Sequence, residues 1–155
     1  MSARNGLRRN PAPNSGSANG TIYYVHDQWG NIIAELDATG ATVREYIWLV
    51  EAEIAPTRSR TQVDRPLVVV TNVNTATPGF FLVHVDQLNR PVKMTDWAKT
   101  VRWSAVWTPW GAPHSITSAP SLDMRFPGQF FQLEAGLHYN WHRHYDGTVQ
   151  NISHI

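Results

Sequence analysis

The stretch Val101-Arg102-Trp103-Ser104-Ala105-Val106-Trp107-Thr108 reads with a period of two. Val101, Trp103, Ala105 and Trp107 fall on one face of an extended strand, and Arg102, Ser104 and Thr108 on the other, with Val106 out of pattern. Residues 42–49 behave alike: Val43, Ile47 and Leu49 share one side and Tyr46 and Trp48 the other, so this strand is expected to be covered on both faces. Turn chemistry recurs at Trp29-Gly30-Asn31, Thr39-Gly40, Pro78-Gly79, Leu88-Asn89, Ala98-Lys99 and Trp110-Gly111. Short strands separated by Gly and Asn turns at this spacing predict an all-β antiparallel meander of hairpins, with roughly eight to eleven strands. No segment offers three turns of amphipathic helix.

The chain also repeats itself. Tyr24-Val25-His26-Asp27-Gln28 resembles Leu82-Val83-His84-Val85-Asp86-Gln87. Asp27 and Asp86, Asp37 and Asp96, and Trp48 and Trp107 all stand 59 residues apart. His26 and His84 are 58 apart, which reads Val85 as a one-residue insertion. Two copies of one hairpin unit argue for an extended, open array rather than a closed barrel.

Composition bounds the function. The chain has 155 residues, 16% of them charged against about 25% in an average soluble protein, and 42% hydrophobic. One domain with a real core is expected. Thirteen Lys+Arg against twelve Asp+Glu leave a net charge of +1, which argues against a strongly basic nucleic-acid binder. With no cysteine, a disulfide framework, a thiolate zinc site and a Cys nucleophile are excluded. The longest aliphatic run, Leu67 to Val70, falls far short of the ~20 residues of a spanning helix. No apolar stretch follows Arg4, Arg8 and Arg9, so a cleavable secretory signal is not expected.

Residues 1–20 are polar, Gly- and Pro-containing and read as a flexible, disordered tail. The β domain is expected over 21–146, with an Arg-rich exposed loop near 56–66 and a short tail over 147–155.

The most specific stretch is 124–146, from Met124-Arg125-Phe126-Pro127-Gly128-Gln129 through Glu134-Ala135-Gly136-Leu137-His138-Tyr139-Asn140 to Tyr145-Asp146. Pro127-Gly128 suits the centre of a type II turn, and Gly136 the left-handed position of a hairpin loop. From Leu137 one strand is expected, with Leu137, Tyr139, Trp141 and Tyr145 on one face and His138, Asn140, His142 and His144 on the other. This run resembles the signature of the Rhs repeat-associated core in the YD-repeat family. Its Arg125, Phe126, Pro127, Gly128, Gln129, Glu134, Gly136, Leu137, Tyr139, Asn140, Tyr145 and Asp146 match the family pattern, as structural residues. Upstream, His26-Asp27 and His84, Asp86 and Pro91 resemble the family's repeat turns, and Trp107-Thr108-Pro109-Trp110-Gly111 its aromatic close.

The resemblance implies a YD-repeat-type sheet, an open fragment of the β-spiral shell that encloses a C-terminal toxin in large bacterial proteins. Partners implied are a toxin domain, the remainder of such a shell and secretion-apparatus proteins, with export by a non-Sec route; outside such a system the chain would be cytoplasmic. The chain departs from the pattern where Gly147-Thr148-Val149 follows Asp146, and the family's Asp-Pro-x-Gly autoprotease motif and toxin domain do not occur in it. No catalytic residue of the family is therefore placed here, and the chain is expected to be a truncated, non-enzymatic, structural piece without cofactor.

His138 and His142 would lie about 13 Å apart on a strand, too far for one ion, and His142 with His144 supply only two ligands, so no metal is expected. Glu51 and Glu53 share a strand face and Asp27 and Asp37 sit at adjacent turns; the turn Asp are read as backbone caps, and no carboxylate catalysis is expected. No Gly-x-Ser-x-Gly elbow occurs. The alternative reading is a surface module whose exposed aromatics, among seven Trp and five Tyr, stack on glycans.

Overall fold

The computed structural model describes residues 21–28, 30–49, 65–117, 121–126, 129–132, 136–140, 143–148 and 151–154. Twelve strands are present among them: β1 Tyr23–His26, β2 Ile32–Leu36, β3 Thr42–Trp48, β4 Pro66–Thr71, β5 Gly79–Val85, β6 Pro91–Thr95, β7 Val101–Trp107, β8 Pro113–Ile116, β9 Phe130–Gln132, β10 Leu137–Asn140, β11 Arg143–Asp146 and β12 Asn151–His154. β1 to β8 form one antiparallel meander in chain order, and β9 to β12 a second, four-stranded one. The described residues are thus all-β, and among them the large sheet is open.

The hairpins close on one piece of chemistry. The carbonyls of Asp27, Asp37, Asp86 and Asp96 accept from the N–H of Gly30, Gly40, Asn89 and Lys99, three residues on. Those four residues all have positive φ, at 92°, 86°, 58° and 63°. This is a type I turn followed by one left-handed residue, the geometry of a three-residue hairpin loop. The Asp side chains complete it: Asp27 Oδ1 accepts from Asn31 N at 2.9 Å, and Asp86 Oδ1 from Arg90 N at 3.0 Å. Thr108 and Gly111 build the same turn without a carboxylate.

These details repeat at a constant offset of 59 residues. Gly30 and Asn89, like Gly40 and Lys99, share the left-handed position. Trp48 Nε1 donates to the Ile32 carbonyl at 2.9 Å, and Trp107 Nε1 to the Pro91 carbonyl at 2.7 Å. Val85 is not an insertion. His26 pairs with Ile32 and Val85 with Pro91, each beside a register shift, so Val85 occupies the place of His26 and His84 that of Val25. β8 likewise repeats β4: Pro66 faces Trp48 and Pro113 faces Trp107, again beside equivalent shifts. The eight strands are two copies of a four-strand unit.

One face of the large sheet carries the core, where Trp103, Met94 and Val69 are fully buried. The expectation that β3 is covered on both sides is corrected. Arg44 and Tyr46 are buried, whereas Ile47 on the opposite face is 49% exposed. The reason is that only one face is covered, by residues 121–126 and Phe130. Leu122, Met124 and Phe130 join the same cluster as Tyr24, Tyr46 and Trp103.

Three other expectations change. Leu137 to Tyr145 is a hairpin rather than one strand, with His138 opposite Tyr145 and Tyr139 opposite His144. The expected tail over 147–155 contains β12, which pairs with β11. Of the expected loop 56–66, residues 56–64 lie outside the described residues, while Arg65 is exposed and Pro66 is buried as the first residue of β4. The tail expected over 1–20 also lies outside them.

Candidate functional site

The matched motif forms the joint between the covered face and the second sheet. Arg125 is 5% exposed. Its Nη1 donates to the carbonyls of Leu122 and Met124, both at 2.9 Å. Its guanidinium lies over Trp107 at 5.2 Å and over Phe131 at 4.9 Å. A cation so sandwiched contributes about 2 kcal/mol when desolvated, comparable with burying one apolar side chain. The Phe126 ring packs under the Arg90 guanidinium at 5.0 Å. Its other neighbour is Gly111, where a Cβ would meet the ring at 2.1 Å. Gln129 closes the turn, its N–H donating to the Phe126 carbonyl at 2.8 Å and its carbonyl accepting from Arg125 N at 3.1 Å. Pro127, Gly128 and Glu134 lie outside the described residues.

The second sheet extends this joint. Gly136 takes φ 65° ahead of β10, and Leu137 pairs with Gln132. His138 is 3% exposed and sits edge-on to Phe131 at 5.6 Å and to Tyr145 at 5.8 Å. Burial, then the nearby Arg125 charge, lower its pKa to about 4, against a smaller opposing pull from Asp146. Tyr139 meets the His144 ring edge-on at 5.9 Å. Asn140 pairs with Arg143 through the backbone. The Tyr145 hydroxyl donates to the Trp110 carbonyl at 2.7 Å, tying β11 to the β7–β8 turn. Asp146 caps its own turn by accepting from Thr148 N and Oγ1.

The predicted turn residues are spread along the large sheet and do not converge. His26 ends β1, exposed, and Asp27 caps the first turn. His84 Nε2 lies 2.9 Å from Thr95 Oγ1. Asp86 holds Arg90 Nε at 2.7 Å, and backbone donors with this guanidinium keep its carboxyl below the usual range despite partial burial. Pro91 opens β6 and accepts the Trp107 indole.

A buried polar group was missed by sequence reasoning. Glu35, Arg44 and Tyr46 are 3%, 9% and 4% exposed on the core face. Tyr46 hydrogen-bonds Glu35 through its hydroxyl. Arg44 Nη1 donates to Glu35 at 3.4 Å and to Tyr46 at 3.3 Å, and its Nη2 reaches Ser121 Oγ at 3.3 Å. Burial opposes the charge on Arg44, but Tyr46, Glu35 and Asp123 outweigh it and raise its pKa. The repeat carries the missed signal: 59 residues on, these positions are Met94, Trp103 and Ala105.

Among the described residues no group of three or more His, Asp or Glu is arranged to hold a metal ion, and no helix is long and apolar enough to cross a membrane. His142 lies outside them.

No family model matches the chain. Its curated relatives include toxin proteins. It is 30% identical over 125 residues to the double-stranded DNA deaminase toxin A of Burkholderia cenocepacia strain H111, covering 76% of this chain and 9% of that protein. It is 32% identical over 80 residues to the toxin protein Tse5 of Pseudomonas aeruginosa, covering 52% of this chain and 6% of that protein. An uncharacterised protein of Escherichia coli K12, YibJ, is 29% identical over 101 residues, covering 64% of this chain and 40% of its own length. The chain therefore spans under a tenth of the two toxins it resembles.

Proposed function

We propose that the chain is a structural section of a larger toxin protein of the Rhs type, a piece of β-wall that encloses or presents a toxic domain elsewhere in the assembly. It performs no reaction of its own in this reading, and any catalysis belongs to the partner domain. The supporting observation is the modular edge. β4 pairs on one side with β3 and on the other with β5. β8 stands in the place of β4, pairs with β7, and has no strand on its far side among the described residues. All four of its residues are exposed. Such an edge is a template for another hairpin unit. Its similarity to short segments of two much longer toxins fits a building block.

The test is the association state of the purified chain by gel filtration with light scattering. Self-association that grows with concentration is expected, reduced by Ile116→Pro, which removes an outward-facing donor from β8, since the next N–H, of Thr117, points inward at the Ser104 carbonyl. A monomer over the whole concentration range would overturn the wall reading. Glycan binding by that monomer, lost on Trp97→Ala or Trp110→Ala, would establish the alternative, since these rings are 69% and 54% exposed.

A further inference from the structure

We propose that His138 is an acid-sensitive latch: as a neutral imidazole it holds the β9–β12 sheet and residues 121–126 against the eight-stranded sheet, and its protonation releases them. This inference is independent of the containment reading. It rests on where His138 sits. Trp107 of β7, Arg125, Phe131 of β9, His138 of β10 and Tyr145 of β11 follow one another as a row of stacked and edge-on rings around one guanidinium. The row returns to the large sheet through the Tyr145 hydroxyl on the Trp110 carbonyl. The row meets the large sheet at its two ends, where Arg125 lies over Trp107 and the Tyr145 hydroxyl reaches Trp110, with His138 between them as the member that gains a charge on acidification.

The groups facing it set the sign. Arg125 brings a like charge from the 121–126 segment. Asp146 on β11 brings the opposite charge, but is already engaged by Thr148 N and Oγ1. Gln129 offers a neutral amide oxygen 3.4 Å from Nδ1, and Phe131 and Tyr145 present ring edges. An imidazolium here would be buried at 3% exposure near the equally buried Arg125, whose Nη1 is engaged by two carbonyls. Opening the joint hydrates both cations.

Linkage gives the size. The folded-state pKa is about 4 against 6.5 for a free imidazole. The closed joint is therefore fully stabilised above pH 6.5 and loses stability as pH falls towards 4, after which the loss levels off. From about pH 7.5 to about pH 5 the opening constant rises roughly 30-fold. The carboxyls of Asp37, Asp86 and Asp96 are held below the usual carboxylate range by their hydrogen bonds and lie outside this window.

Hydrogen exchange of the chain at these two pH values, corrected for intrinsic rates, tests the latch. Expected is loss of protection in peptides from 121–148, with β4 to β7 unchanged, and no such pH response in His138→Gln, which keeps a polar ring-sized partner for Gln129 without titrating. An equal loss across both sheets, or the same response in the variant, would overturn the proposal. Should the variant not fold, the wild-type imidazole resonance decides. A midpoint well below the ordinary histidine range, with protection in 121–148 already reduced at about pH 5, supports the latch; protection intact at about pH 5, or an ordinary midpoint, refutes it.

Discussion

Replacing Arg44 by Met isolates the buried polar group from the rest of the core. The substitution removes the cation that meets Glu35 at 3.4 Å and Ser121 at 3.3 Å. It leaves the Glu35 carboxylate 3% exposed, with the Tyr46 hydroxyl as its remaining hydrogen-bond partner, and strips Asp123 of a nearby opposite charge. Breaking one side of a buried pair costs about 3–5 kcal/mol. In a urea titration followed by far-ultraviolet circular dichroism, that moves the midpoint down by roughly 1.5–2.5 M for a slope of about 2 kcal/mol per M. The triple variant E35M/R44M/Y46F is expected to be more stable than R44M alone, within about 2 kcal/mol of wild type, because it removes every stranded polar atom of the three side chains. The second copy of the unit argues the same way, since Met94 and Trp103 fill the equivalent places fully buried. Arg44 Nε already lacks a hydrogen-bond partner, so the wild-type group is itself imperfectly satisfied. A triple variant less stable than R44M would refute the reasoning, for it would mean that Glu35 and Tyr46 stabilise the core without their cation.

Two further predictions use the repeat. Trp48→Phe and Trp107→Phe each leave one backbone carbonyl without its indole donor, and each should lower stability by about 1 kcal/mol, by the same amount within error, in the same titration; unequal losses would separate the two units energetically. Gly111→Ala places a Cβ 2.1 Å from the Phe126 ring at φ 88° and should cost about 2–4 kcal/mol, while Lys99→Gly relieves a left-handed lysine and should gain about 0.5–1 kcal/mol.

Strand content and topology were legible because hairpin turns announce themselves locally. Asp followed three residues later by Gly, Asn or Lys is visible in the chain, and each instance produced the same left-handed corner. The direction of burial was less legible. Tyr46 and Ile47 are both apolar enough to face inwards, and the choice depended on which side residues 121–126 would cover. That segment carries little secondary structure of its own, and its placement is a tertiary matter. Val85 shows the same limit in miniature. The His26–His84 match suggested an insertion, but the ladder follows the bulge positions, and these put Val85 with His26. The split of 137–145 into two strands was hidden because the alternation continued through the turn.

The joint itself was visible as a motif and opaque as a mechanism. Arg125, Phe126 and Gln129 stand out in sequence, and an exposed Arg beside aromatics would suggest binding. Here Arg125 is buried, its Nη1 satisfied by two carbonyls and its plane taken by Trp107 and Phe131. A guanidinium spent on backbone and rings is held in one position, and Phe126 is held equally by Arg90 and by the missing side chain of Gly111. These restraints are those of a fixed joint between two sheets, where a change of one methyl group is felt. The specificity of the motif therefore follows from packing: Arg and Gly are needed at 125 and 111 because of what lies within 5.2 Å of the one and 2.1 Å of a Cβ on the other.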